Sequence, residues 1–86
     1  MTMQYTIDCA NISSKEELHR VLAETLHFPA HYGRNLDALY DCLGELSQKT
    51  HLILQNWDHV APFAGSFRFV FNDAEEENPN LFITIQ

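Results

Sequence analysis

Basic residues are scarce in this 86-residue sequence, which holds five Lys and Arg against twelve Asp and Glu and has a formal net charge of -7. Most of the excess negative charge lies after residue 34, where residues 35–86 carry eight acids and two bases. Such a chain repels nucleic-acid phosphates and anionic membranes, and it attracts cationic surfaces. The charge therefore predicts no direct binding of nucleic acids or membranes and favours a basic protein partner.

Cysteine, glycine and proline are also scarce, with two, three and three residues. Two cysteines are too few for a disulfide framework, and Cys9 and Cys42 are most simply small buried apolar residues. So few Gly and Pro, beside 45% hydrophobic residues, argue against a disordered or low-complexity chain. No stretch resembles a secretion signal or approaches the roughly 20 apolar residues that cross a bilayer. We therefore expect one cytoplasmic domain over residues 1–86, monomeric when free.

Motifs for catalysis and cofactor binding are absent as well. The chain has no phosphate-cradling glycine loop, serine nucleophile elbow, Rossmann fingerprint or zinc-ligand spacing. The sequence predicts neither an enzyme nor a bound cofactor or metal. One alternative from another functional class is a divalent-metal site built from His31, Asp37 and Asp41, because mixed nitrogen and oxygen ligands can hold such a cation.

Strand patterns and helix patterns alternate along the chain. Short β-branched and apolar runs predict strands, whereas apolar residues three or four positions apart predict helices. Strands are predicted at residues 3–8, 51–55 and 81–85, and helices at 14–26, at about 36–46, and from near Phe63 to Glu77. The mainly apolar run 51–55 is typical of a central strand buried on both faces. The sequence thus predicts an α/β fold with a three-stranded parallel sheet packed with helices, in the order β-α-α-β-α-β.

The second predicted helix carries acidic residues beside its apolar stripe. Asp37, Asp41, Gly44 and Glu45 occupy an arc roughly 100° wide next to the leucines. Asp37 and Asp41 are like charges four residues apart, which destabilises an isolated helix by about 0.2–0.5 kcal/mol. Gly44 costs a helix roughly 1 kcal/mol relative to Ala, yet it leaves the arc open to an approaching surface. The pattern leaves two interpretations open: the arc binds a partner, or, more simply, Asp37 serves the helix dipole and Gly44 ends the helix.

The segment from His31 to Leu43 resembles the signature of the barstar family. It reads His-Tyr-Gly-Arg-Asn-Leu-Asp-Ala-Leu-Tyr-Asp-Cys-Leu, and the family has Tyr-Gly, then Asn-Leu-Asp-Ala-Leu, an aromatic residue and Asp-Cys-Leu. A looser similarity covers the whole chain, including the Ser-rich entry to the first helix and the terminal Ile-Thr-Ile strand. The resemblance implies a barstar-like fold and a cytoplasmic inhibitor of a basic ribonuclease of the barnase type.

Site residues follow from the same resemblance, position by position. Asp41 would be the central carboxylate facing the phosphate-binding side chains of the nuclease, and Asp37 would flank it. On the last helix, Asp73 matches an acidic contact of the family and Glu77 matches a weaker one. The remaining predicted contacts are His31, Gly33, Asn35, Tyr40 and Gly44. Gly44 is included only because it leaves the helix face open, and not because of the resemblance.

Three features depart from the family pattern. Arg34 places a positive charge where the family's type member has an acid, Glu45 and Leu46 replace a Gly-Trp corner, and the loop before Phe63 is shorter. Arg34 would either repel a basic partner or pair with an acid on it and so set specificity. The remaining alternative is a barstar-fold adaptor for a basic protein other than a nuclease.

Overall fold

Three parallel strands form the sheet in the computed structural model, which describes residues 1–86. Strand β1 spans Met3–Asp8, β2 spans Thr50–Gln55 and β3 spans Leu81–Ile85. Their order is β1-β2-β3, so β2 is the central strand, as predicted. The strands are paired so that Ile7 of β1 lies opposite Leu54 of β2, and Leu54 lies opposite Ile85 of β3. The parallel sheet predicted from the alternation of elements is confirmed.

Four α-helices and two short 3-10 turns connect the strands. The helices are α1 (Lys15–Leu26), α2 (Leu36–Gly44), α3 (Ala61–Ala64) and α4 (Phe67–Glu77), and the turns are Cys9–Asn11 and Trp57–His59. The order β-α-α-β-α-β is confirmed, but the last predicted helix is divided into α3 and α4. Gly65 and Ser66 separate them, and Gly is the residue type of the two that clearly disfavours a helix interior. No helix combines the length and apolar character needed to span a membrane.

Local hydrogen bonds set the start of α1. The Ser14 hydroxyl accepts a bond from the Glu17 amide at 3.1 Å, and the Glu17 carboxylate accepts one from the Ser13 amide at 2.8 Å. The first bond satisfies a backbone donor that a helix start leaves without a partner, and the second ties the residue before the cap to the first turn. Ser14 is therefore the N-cap of α1, and Glu17 is its partner in the first turn.

One face of the central strand β2 is covered by the core, while its opposite face is only partly shielded. Leu52 and Leu54 of β2 are buried, whereas the alternate residues His51 and Ile53 are half-buried. On that second face Phe82 is exposed. The prediction that β2 is buried on both faces was wrong, because an apolar run alone does not tell how many faces are covered.

Candidate partner-binding surface

Exposed carboxylates cluster where α2 and α4 pack side by side. The acidic surface consists of Asp37 and Asp41 on α2 and of Asp73 and Glu77 on α4, all exposed. Half-buried Tyr40 lies among them. Partial loss of solvent raises the pKa of the Tyr40 phenol, and the negative charges of Glu77, Asp73 and Asp41 raise it further. The fold thus brings acids from two helices, distant in sequence, around one aromatic side chain.

No cation of the chain neutralises the acidic surface. The one salt bridge in the structure joins Arg20 to Glu24 on α1 at 3.1 Å. On each helix the two acids are four residues apart, an arrangement of like charges that slightly disfavours the helix. Folding stability therefore does not account for the cluster. Exposed carboxylates on fixed helices can instead accept charge-assisted hydrogen bonds from the Arg, Lys or His side chains of a partner.

The start of α2 is fixed by Asn35. Its side-chain oxygen accepts a hydrogen bond from the Ala38 amide at 2.8 Å, and its side-chain nitrogen donates to the Gly33 carbonyl at 3.3 Å. A Cβ added to Gly33 would lie 3.0 Å from that nitrogen, so a larger residue at position 33 would press on the cap. Gly33 and Asn35 therefore position the helix that bears Asp37 and Asp41. Their direct contact with a partner stays a prediction.

The loop of residues 27–35 is anchored to α1 by a buried histidine that the sequence analysis did not identify. Nδ1 of His19 lies 2.7 Å from the Tyr32 hydroxyl oxygen, in a hydrogen bond. The His19 ring also packs on Phe67 of α4, with ring centroids 4.8 Å apart. Only 5% of His19 is exposed. His19 shares the helical stripe of Leu22 and Leu26, and this spacing was the available signal that it faces inward.

The stability of the fold should fall as the pH drops, in part because of His19. Burial lowers its pKa from the ordinary 6.5, with Glu16 opposing the shift and Arg34 adding to it. The unfolded chain thus binds the proton more readily, so this contribution is intact above pH 6.5 and is lost as the pH falls below it.

Urea unfolding at about pH 7.5 and about pH 5.5 measures this slope of stability against pH. His19→Gln should reduce the slope, whereas His31→Gln, which changes an exposed loop residue, should leave it as in the parent. Equal slopes for the parent and His19→Gln would contradict the assignment.

The C-terminal end of α2 is tied to the end of α4 by Asn78. Its side-chain amide donates to the carbonyls of Leu43, at 2.9 Å, and Leu46, at 3.0 Å. Its side-chain oxygen accepts from the Asn80 amide at 3.0 Å. Asn78 is 5% exposed, so these bonds are shielded from water. Asn78, which is not among the predicted site residues, thus fixes the two halves of the acidic surface relative to each other.

Gly44 leaves an open place at the end of α2. A Cβ built on Gly44 meets no atom within 4 Å. Gly44 does not have the positive φ of a glycine that terminates a helix, and the chain continues in right-handed conformation at Glu45. The simpler alternative, that Gly44 ends the helix, agrees with the bounds of α2, which ends at Gly44, although no left-handed turn marks that end. The space beside Asp41 is free for an approaching surface.

Two of the remaining predicted contacts differ in their surroundings. His31 is exposed on the loop, and Tyr40 is half-buried.

No group of three or more His, Cys, Asp or Glu side chains is placed to share a metal ion. His31, Asp37 and Asp41 therefore do not form the site that the metal alternative requires.

Both cysteines are free thiols. Cys9 is fully buried, and burial, followed by the charge of Asp8, raises its pKa to about 11. Cys42 is half-buried on α2, and its pKa is raised by partial burial and then by the charges of Glu45 and Asp41. Raised pKa values keep both thiols protonated and weakly reactive at neutral pH. The interpretation of Cys9 as a buried apolar residue is confirmed.

Comparison with known proteins identifies a matching family and a relative in Bacillus subtilis. The family described as "Barstar (barnase inhibitor)" matches residues 2–86. A protein of Bacillus subtilis (strain 168) named "Putative ribonuclease inhibitor YrdF" is 41% identical over 81 residues, which cover 88% of this chain and 89% of that protein. The family match takes in both α2 and α4, and so all four residues of the acidic surface. The chain belongs to the barstar family.

Proposed function

We propose that this chain is a non-catalytic, cytoplasmic inhibitor of a ribonuclease of the barnase type. The observation that carries the proposal is the acidic surface, four exposed carboxylates on two packed helices with no cation of the chain to neutralise them. Family membership and the name of the Bacillus subtilis relative support the choice of a ribonuclease as partner. The chain acts as one domain and is monomeric before it binds.

Phosphate mimicry explains how the acidic surface would inhibit. A ribonuclease holds the phosphate of RNA with Arg, Lys and His donors, and carboxylates accept the same charge-assisted hydrogen bonds. Asp41 takes the central position in the cationic site, and Asp37 flanks it. Asp73 and Glu77 extend the contact from α4, while the loop that carries His31 covers the rim. RNA is then excluded because its phosphate site is filled.

Electrostatic attraction would make the complex form quickly. The net charge of -7 complements a basic enzyme and steers the two proteins together before contact. Salt screens this attraction over a distance of about 8 Å at physiological ionic strength. The association rate should therefore fall as salt is added.

An inhibition assay tests the proposal. The chain is mixed at about micromolar concentration with a panel of guanyl-preferring microbial ribonucleases that includes barnase, and RNA cleavage is measured. Cleavage by at least one panel enzyme should fall to background at one inhibitor per enzyme. Undiminished cleavage across the panel would reject the proposal that the partner is a ribonuclease. The alternative of an adaptor that binds another basic protein would then remain.

Gly44→Ala should change folding stability and inhibition in opposite directions. The free protein should gain up to about 1 kcal/mol, since Ala favours the helix and its methyl group meets no atom. The complex should lose roughly 1–3 kcal/mol, because the methyl group occupies space that the partner needs. Urea unfolding and the inhibition constant measure the two effects.

The matched control is Gly65→Ala, in the turn between α3 and α4, where the added Cβ makes an ordinary contact with the Ala61 carbonyl at 3.4 Å. This change should leave inhibition unaltered. Inhibition by Gly44→Ala equal to that of the parent would place Gly44 outside the contact.

A further inference from the structure

An exposed aromatic side chain borders the acidic surface. Phe69 of α4 is 75% exposed, although its neighbours Phe67 and Phe71 are buried in the core. It precedes Asp73 by four residues and therefore projects from the same face of the helix. Its ring does not belong to the apolar residues that pack on the core cluster. Folding stability gives no reason for an aromatic residue at this position.

The surroundings of Phe69 offer room for a partner. A hollow of about 400 Å³ lies between α4 and the edge strand β3, and Phe69 forms part of its wall. Ile83 and Ile85 of β3 supply further apolar wall, and Arg68 and Glu75 supply polar groups. A side chain that packs against Phe69 could therefore be covered on more than one side.

The charges around Phe69 select the kind of partner. Around the ring one cation, Arg68, is outnumbered by the acids Asp73, Glu75 and Glu76 of the same helix, and the whole chain carries a net charge of -7. A second copy of this chain would bring like charges together around the ring, which opposes association. A partner with an apolar patch bordered by cations could pack against the ring and pair its cations with the neighbouring acids.

We propose that Phe69 is an apolar anchor of the inhibitor, packing on an apolar patch beside the cationic site of the ribonuclease. The proposal rests on the function proposed above and adds a specificity-determining residue to it. Aromatic residues that become fully desolvated contribute a large share of binding energy in protein interfaces. Because packing of the ring is not screened by salt, its contribution should appear in the dissociation rate and not in the salt-dependent association rate.

Replacement of Phe69 tests the anchor, with the panel ribonuclease that the parent protein inhibits most strongly as the probe. Phe69→Ala should raise the Kd about 10- to 100-fold, mainly through faster dissociation, and by the same factor at low and high salt. Phe69→Tyr, which keeps the ring, should stay near the parent value. The matched control is Phe82→Ala, because Phe82 is 67% exposed but lies on the open face of the sheet.

The outcomes separate the anchor from the function on which it rests. A Kd for Phe69→Ala within about twofold of the parent, together with a large loss for Asp41→Ala, would overturn the anchor and keep the inhibitor function. An equal loss for Phe82→Ala would also overturn the anchor. Both proposals would be overturned if the parent protein did not inhibit. They would also be overturned if Phe69→Ala and Asp41→Ala both bound the ribonuclease as tightly as the parent.

Discussion

Replacing Asp41 with Ala is expected to weaken the complex with the ribonuclease by about 3–5 kcal/mol, a loss of roughly two to four orders of magnitude in affinity. The reason is that Asp41 would face cationic side chains at the centre of a contact from which water is excluded. Removing its carboxylate leaves those cations buried without a partner. The dissociation constant, measured by titration of inhibition or by calorimetry, gives the size of the loss.

The fold should survive this change. Asp41 is exposed and has no salt bridge, and its removal relieves repulsion from Asp37 by about 0.2–0.5 kcal/mol. Asp58→Ala is the matched control, because it also removes one exposed negative charge but lies in the turn after β2. That variant should bind nearly as tightly as the parent. Equal losses for Asp41→Ala and Asp58→Ala would mean that net charge, and not a specific contact, determines affinity.

Replacing Asn78 with Ala is expected to lower the free energy of unfolding by about 2–4 kcal/mol. The change removes three hydrogen bonds, each worth about 1 kcal/mol, and leaves the Leu43 carbonyl buried without this donor. For a domain of this size the Tm should fall by roughly 10–30 °C. Thermal unfolding followed by circular dichroism measures the shift.

Asn72→Ala provides the comparison for Asn78→Ala. It makes the same substitution on α4 at an exposed position, and its Tm should stay close to that of the parent. A similar Tm for the parent and Asn78→Ala would show that the ends of α2 and α4 are held together by apolar packing alone. Asn78 would then have no part in positioning the acidic surface.

The strands and the main helices could be predicted because their signals are local. Met3–Asp8 and Leu81–Ile85 were predicted with the bounds that the structure shows, since β-branched runs and the Pro79 turn define them within a few residues. The start of α2 is also set locally, because the Asn35 side chain caps the helix that follows it. The acids of α2 were placed correctly on one exposed face by the same helical geometry.

Features that depend on contacts across the fold were not available from the sequence. The bond from Asn78 to Leu43 spans 35 positions, and nothing near Asn78 indicates which carbonyl it meets. The half-exposed side of β2 depends on which elements pack over it, and apolar composition does not report that. That Asp73 and Glu77 lie near Tyr40 does not follow from helical spacing, because α2 and α4 are distant in the sequence and meet only in the folded chain.

Competition with a nucleotide tests most directly whether the acidic surface occupies the active site of the ribonuclease. The Kd of the chain for the enzyme is measured with and without guanosine 3′-phosphate, which fills the phosphate site. At a nucleotide concentration ten times its own Kd, exclusive binding predicts an apparent Kd about elevenfold higher. An apparent Kd that does not change as the nucleotide saturates the enzyme would contradict the account, because both molecules would then be bound at once.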